Sequence, residues 1–168
     1  MYQSDTALIA LGELPAGYPS LGPNRHPYTI DPKKLLTLLE PLEYREGSFL
    51  PFAWVQPRRV FTMSQGKMLA QELPKALGMA LPQEVAAFTV ADEENPDRRT
   101  KGFTFIVGDE LHLILEELRK PSYLGEQKTY QPQAHGWELI PGNSQRLYTS
   151  RPEGKGTVPH WVICPLKP

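Results

Sequence analysis

The run Thr100–Leu118, TKGFTFIVGDELHLILEEL, decides the fold, because two different structures can be written on it. Read with a period of two, KGFTFIV is a half-buried strand, and Gly108-Asp109 supplies a two-residue primed turn into a second strand, ELHLILEEL. In that register Phe105 faces His112 and Ile106 faces Leu111. Read with a period of 3.6, Asp109 caps a helix with Leu111, Ile114, Leu115 and Leu118 on one stripe. Arg119 and Lys120 then lie in its last turn, and Pro121 stops it. The hairpin is the preferred reading, since Leu111, Leu113 and Leu115 also alternate and the glycine stands where the turn needs one.

Working outward, DEENPDRRT before this run is wholly polar and reads as a solvated loop, and EVAAFTVAD before that is a strand by its Val, Phe and Thr content. A helix is expected from near Ser64, with Met68, Leu69, Ala76, Leu77 and Ala80 toward the core and Pro74 interrupting it. Asp31 is a natural N-cap with Pro32 at the first helical position, and Leu35, Leu38, Leu39 and Leu42 follow the spacing of one buried face. Pro41 ends or bends that helix. TALIALGEL suits a first strand. Between it and the first helix, residues 15–28, PAGYPSLGPNRHPY, hold four prolines and read as a surface loop, either packed by Tyr18, Leu21 and Tyr28 or used for binding. Beyond the decisive run, AHGWELIPGNSQRLYTS has two short strand-like runs around a Pro-Gly-Asn turn, and TVPHWVICPL is a last strand. The expected fold is α+β: one domain over residues 1–168, an antiparallel sheet with two helices packed on one face, or three if residues 110–118 are helical.

The bulk numbers fit such a unit. A chain of 168 residues can bury a core without metal or disulfide support, and with 18 Lys+Arg against 19 Asp+Glu it has a net charge of −1. No long-range field draws it to nucleic acid, so a polyanion would have to be met by a local patch. The single cysteine, Cys164, excludes an intrachain disulfide and any multi-thiolate metal site, and among apolar neighbours it reads as a small buried hydrophobe. No run approaches the ~20 apolar residues that span a bilayer.

Lys101, Gly102, Phe103, Phe105 and Ile106 also match five positions of a central-strand signature, and on these residues the segment 60–125 resembles the RNA-recognition-motif family. That resemblance implies single-stranded RNA stacked on Phe103 and Phe105 along Lys101–Val107, with the lysine on a phosphate. Thr104 stands where the family has a small residue and Gly108 where it has an aromatic. The competing expectation is that both phenylalanines are core residues, shielded from water by the helical layer.

Chemistry-bearing motifs are sparse. The four histidines, His26, His112, His135 and His160, form no His-x-x-x-His pair, and no nucleophile elbow or Gly-rich phosphate loop is present. PNRHPY and TVPHWV each place a histidine beside aromatics, so a small hydrolase using His26 or His160 is the enzymatic alternative. Neither a cofactor nor a metal site is expected. Residues 55–120, VFTMSQGKMLAQELPKALGMALPQEVAAFTVAD leading to GFTFIVGDELHLILEEL, are similar to small uncharacterised bacterial cell-envelope lipoproteins. This similarity implies a non-catalytic protein-interaction or scaffold module, periplasmic or lipid-tethered if a leader has been removed and cytoplasmic otherwise. The family's lipid-bearing N-terminal cysteine is missing. For a protein partner the expected anchors are Tyr18, Asn24, Arg25, His26 and Tyr28 in the proline-rich loop, with Trp54, Arg58 and Arg59 as a second patch, because Tyr, Trp and Arg combine contact area with directed hydrogen bonds.

Overall fold

The structure, a computed structural model, describes residues 2–19, 21–46, 56–121, 136–149 and 156–167. In chain order the elements are β1 (Tyr2–Gln3), β2 (Ala7–Gly12), α1 (Pro32–Leu39), β3 (Glu43–Glu46), β4 (Arg58–Arg59), α2 (Met63–Leu77), β5 (Val85–Ala91), β6 (Arg98–Val107), β7 (Glu110–Pro121), β8 (Trp137–Ile140), β9 (Arg146–Thr149) and β10 (Thr157–Pro165). The fold is α+β.

The decisive run is a hairpin. β6 and β7 pair antiparallel across Gly108-Asp109, with Phe105 opposite His112 and Ile106 opposite Leu111, and Gly108 takes the positive φ of +58° that the tight turn requires. The helical stripe loses for a physical reason. β7 lies between β6 and β10, and Leu111 to Leu115 are all buried, so both faces of the segment are covered and no polar side exists for a helix to present. The strand succession that the RNA-binding resemblance needs is therefore not formed, since a strand stands where that family places its second helix.

Seven strands make one antiparallel sheet in the order β1-β2-β5-β6-β7-β10-β9, and a second sheet has the order β4-β3-β8. β3 and β4 were not anticipated: after Pro41 the chain turns back as Glu43–Glu46 instead of continuing helical. The two runs around Pro141-Gly142-Asn143 do form strands, but β8 joins β3 and β9 joins β10, so that turn carries the chain from one sheet to the other.

Both helices start as their capping residues dictate. The Asp31 carboxylate accepts from Lys33 N–H with Pro32 following, and at α2 Thr62 and Gln65 form a reciprocal capping box. Pro74 is inside α2, not at its end. Leu35, Leu39 and Leu42 of the first segment and Leu69, Leu73, Ala76 and Leu77 of α2 pack with Ile9, Phe88, Ile106 and Leu113 in the main core on the sheet's inner face.

The outer face is divided. Over its β5–β10 part lies a second cluster of Val85, Phe103, Phe105, Ile114, Trp161 and Ile163, roofed by Leu14, Tyr18 and Leu21. Phe103 is 6% and Phe105 1% exposed, so both rings are core residues, but the helical layer is not what shields them. Successive side chains on a strand alternate faces, and the helices took Thr104 and Ile106. The proline-rich loop took the phenylalanines. Over the other part of the outer face, around β2, β5 and the far ends of β6 and β7, no element lies among the described residues.

Gly102 belongs to the inner face. A Cβ there would fall closer to the Ile114 carbonyl oxygen than real Cβ atoms come, 2.8 Å from Phe88 Cζ and 3.2 Å from Leu115 Cδ2. The glycine of the Lys-Gly pair thus makes room for the Phe88 ring beside a bulge, where Lys101 pairs with Glu117 and Gly102 with Leu115, leaving Glu116 extra. A second bulge follows at Leu118-Arg119, where Arg119 adopts φ +50° and donates its N–H to Thr100 Oγ1 at 3.2 Å.

Candidate functional site

Most of the expected loop anchors are engaged in holding the loop to the sheet. Asn24 N–H donates to the Pro82 carbonyl, Arg25 N–H to the Ile106 carbonyl and Tyr28 N–H to the Leu77 carbonyl, at 2.9, 2.8 and 3.0 Å. The Asn24 amide donates to the Glu84 carbonyl at 3.0 Å. His26 is 6% exposed and works as a clip: Nδ1 meets the Glu84 carbonyl at 2.9 Å, and Nε2 accepts from Ile106 N–H at 3.0 Å. An accepting Nε2 places the proton on Nδ1, fixing the neutral tautomer. Burial pulls the His26 pKa below its ordinary value, against backbone hydrogen bonds that raise it.

Tyr18 packs edge-on to Phe103 and Trp161, with ring centroids 6.2 Å away in both cases. Tyr28 packs against the main core, and the Arg25 guanidinium lies 5.5 Å from its ring centroid while pairing with Asp109 at 2.8 Å. Tyr18 and Asn24 also help to line an apolar cleft of about 580 Å³ against Pro82 and Gln83.

Arg58 and Arg59 are exposed on β4, and Arg58 lines a cleft with Arg98 and Arg119 at the open end of the hairpin. Arg25 sits at the opposite end, on the Gly108-Asp109 turn. β6 alone separates these ends by 10 residues, about 30 Å at ~3.3 Å per residue, so the two expected patches are not one surface. Trp54 and His135 lie outside the described residues. His112 stacks on Phe105 with centroids 5.1 Å apart and accepts at Nδ1 from Trp161 Nε1–H at 3.0 Å; its burial lowers its pKa to about 4. His160 is 2% exposed within the core.

The surface that sequence reasoning missed is the part of the outer face that no described residue covers. There a trough of about 510 Å³ runs across β2, β5, β6 and β7. Its floor is Ala10, Ala87, Thr89 and Ala91, with Leu8, 45% exposed, beside it. Arg99, Lys101 and Lys120 line it from β6 and β7, and Asp5 and Glu117 are its acids. The pairs Lys101–Glu116 and Lys120–Glu117, both 3.7 Å, are long and partly exposed, so they hold these cations weakly. Burial leads in raising the Glu116 pKa, opposed by Lys101. The signal was present in AAFTVA, where the outward positions 87, 89 and 91 are all small. Side chains that size fill a strand face without covering it, which single-strand patterning does not distinguish from a covered face.

Among the described residues no group of three or more His, Cys, Asp and Glu is placed to hold a metal ion, and no helix is long and apolar enough to cross a membrane. Comparison with protein-family models, with curated proteins and with solved structures finds no match to this chain.

Proposed function

We propose that this chain is a non-catalytic protein-binding domain that receives an extended, acidic segment of a partner across the uncovered part of its seven-stranded sheet. The observation that carries this reading is the trough, with its small-residue floor and its wall of Arg99, Lys101 and Lys120. Alanines and a threonine let a partner backbone approach the sheet closely, and Leu8 offers an apolar anchor. Partner carboxylates can replace the long Glu116 and Glu117 pairings at little cost, because such exposed pairs are worth only ~0–1 kcal/mol. Base stacking is less well supported, since both phenylalanines of the RNA-like signature are beneath the proline-rich loop. A hydrolytic role for His26 is also less well supported, because both of its ring nitrogens already serve the loop. The envelope location implied by the lipoprotein resemblance belongs to the same proposal and is tested separately, by fractionating the source cell.

The binding test is selection from a displayed random-peptide library on the full chain. Acidic peptides should be enriched, and Arg99→Glu or Thr89→Tyr should weaken them at least ~10-fold, the worth of one charge-assisted contact. Enriched peptides without acidic residues, or ones that bind the Thr89→Tyr variant equally well, would overturn the proposal.

A further inference from the structure

The cleft at the open end of the hairpin carries an inference independent of the trough. Adjacent residues on a strand point to opposite faces, so where Arg99 enters the trough, Arg98 turns into this cleft, which has a volume of about 260 Å³. Arg58 reaches it from β4, Tyr44 and Glu46 from β3, Trp137 from β8, and Arg119 from the bulge in β7. Three guanidiniums from three strands thus gather around one concavity, although they lie far apart in sequence. Glu46 is the acid in the lining. Asp92 and Glu94 meet Arg119 from outside it, both at Nη2, at 3.2 and 3.5 Å. A guanidinium has five N–H groups in a fixed fork, more than Asp92, Glu94 and the Tyr44 hydroxyl together use among the described residues.

Two further features point to a ligand. Tyr44 is 2% exposed; its hydroxyl oxygen faces the Arg119 guanidinium, whose pKa it is the first cause of raising, while its own proton has no acceptor among the described residues. A buried hydroxyl without an acceptor costs stability, and such groups call for a specific explanation. Arg119 itself has φ +50°, a left-handed backbone that an arginine occupies at a cost of order 1–3 kcal/mol and that is found preferentially at ligand sites.

We propose that this cleft binds a phosphate-type oxyanion, free or as a phosphomonoester, with Arg58, Arg98, Arg119 and the Tyr44 hydroxyl as its donors. Donors arriving from β3, β4, β6 and β7 suit a tetrahedral group with oxygens in several directions better than a planar carboxylate, which one arginine fork satisfies. The volume exceeds that of the ion alone, leaving room for an attached organic group in a cleft whose lining includes Trp137.

The test is titration of the full chain with inorganic phosphate, phenyl phosphate and benzoate at matched ionic strength, followed by phosphorus NMR for the first two and by competition for the third. Saturable binding of either phosphate is expected, and which of the two binds more tightly distinguishes a free ion from an ester. Arg98→Gln and Tyr44→Phe should each weaken it at least ~10-fold, whereas Arg99→Gln in the trough should leave it unchanged. Tyr44→Phe keeps the ring and removes only the hydroxyl, so this variant should still fold, which its circular dichroism and melting temperature check. No saturable binding of either phosphate, equal binding by Tyr44→Phe, or benzoate competing as well as phosphate would overturn the assignment.

Discussion

Gly102→Ala is the sharpest perturbation of the decisive run, because one methyl separates a packing role for the Lys-Gly pair from a nucleotide-binding one. The added carbon would meet the Ile114 carbonyl oxygen, Phe88 Cζ at 2.8 Å and Leu115 Cδ2 at 3.2 Å. Leu115 can rotate away. The Phe88 ring can shift, at the expense of its edge-on packing with Phe61, where the centroids are 5.9 Å apart. The carbonyl cannot move without spreading β6 from β7, and overpacking of this kind costs ~1–3 kcal/mol, here toward the upper end because the obstacle is backbone. Against it stands a gain of ~0.4–1 kcal/mol from the stiffer unfolded chain. A net loss of about 2 kcal/mol is expected from these two figures, and at ~2–4 °C per kcal/mol for a chain of this size it lowers the melting temperature by about 4–8 °C. Urea unfolding followed by circular dichroism reads it directly. Adding Phe88→Leu should recover part of the loss, as expected for two groups in contact. A Gly102→Ala protein as stable as the parent would refute the packing argument and leave the glycine to be explained by a ligand.

Acid should destabilise the chain through its buried histidines. The folded pKa of His112 is about 4 against ~6.5 unfolded, so between those values the unfolded state holds more protons, and stability complete above pH ~6.5 declines as pH falls toward 4. At ~1.36 kcal/mol per pKa unit this is about 3 kcal/mol, and His26, also lowered, adds in the same direction. Unfolding at pH 7.5 and pH 4.5 measures the slope, which His112→Gln should flatten; an unchanged slope would refute this account. Tyr18→Ala should cost ~2–3 kcal/mol and shift Trp161 emission to the red when the other two tryptophans are replaced by phenylalanine, since the ring roofs Phe103 and Trp161. An unshifted emission would mean that the loop is not the roof. Burial pushes the Cys164 thiol up to about 12, so a thiol reagent should react with it at the rate of unfolding and no faster.

What could be read in advance was whatever chemistry is local. Asp31-Pro32 located a helix start, the leucine spacing located its buried face, and Gly108-Asp109 fixed the β6–β7 register to the residue. What could not be read was the outcome of competition between distant segments. Phe103 and Phe105 look the same under a helix as under a loop, because alternation states that a face is covered and not by what. β3 escaped notice because Tyr44 comes just after Pro41-Leu42-Glu43, in a run that continues the helical leucine spacing. The candidate surfaces were hidden for a related reason: Arg58, Arg98 and Arg119 are isolated or merely paired in sequence, and they meet only once two sheets are placed side by side. The loop residues, conversely, had the composition of an interface and were used within the chain itself.

Residues 15–28 have the make-up of a segment into which an engineer would splice an epitope tag or open new termini, since exposed, proline-rich connections usually accept changes of length. In this protein the segment helps to close the second apolar cluster, and its backbone bonds to Pro82, Ile106 and Leu77 fix where Asn24, Arg25 and Tyr28 fall. One inserted residue would put every later anchor out of step, detaching the His26 clip or lifting Tyr18 from Trp161. The polar Glu94-Asn95-Pro96 tip, which is exposed and bears little packing, is the better place to add sequence. The stretch whose composition reads as most dispensable is thus among the least free to change length.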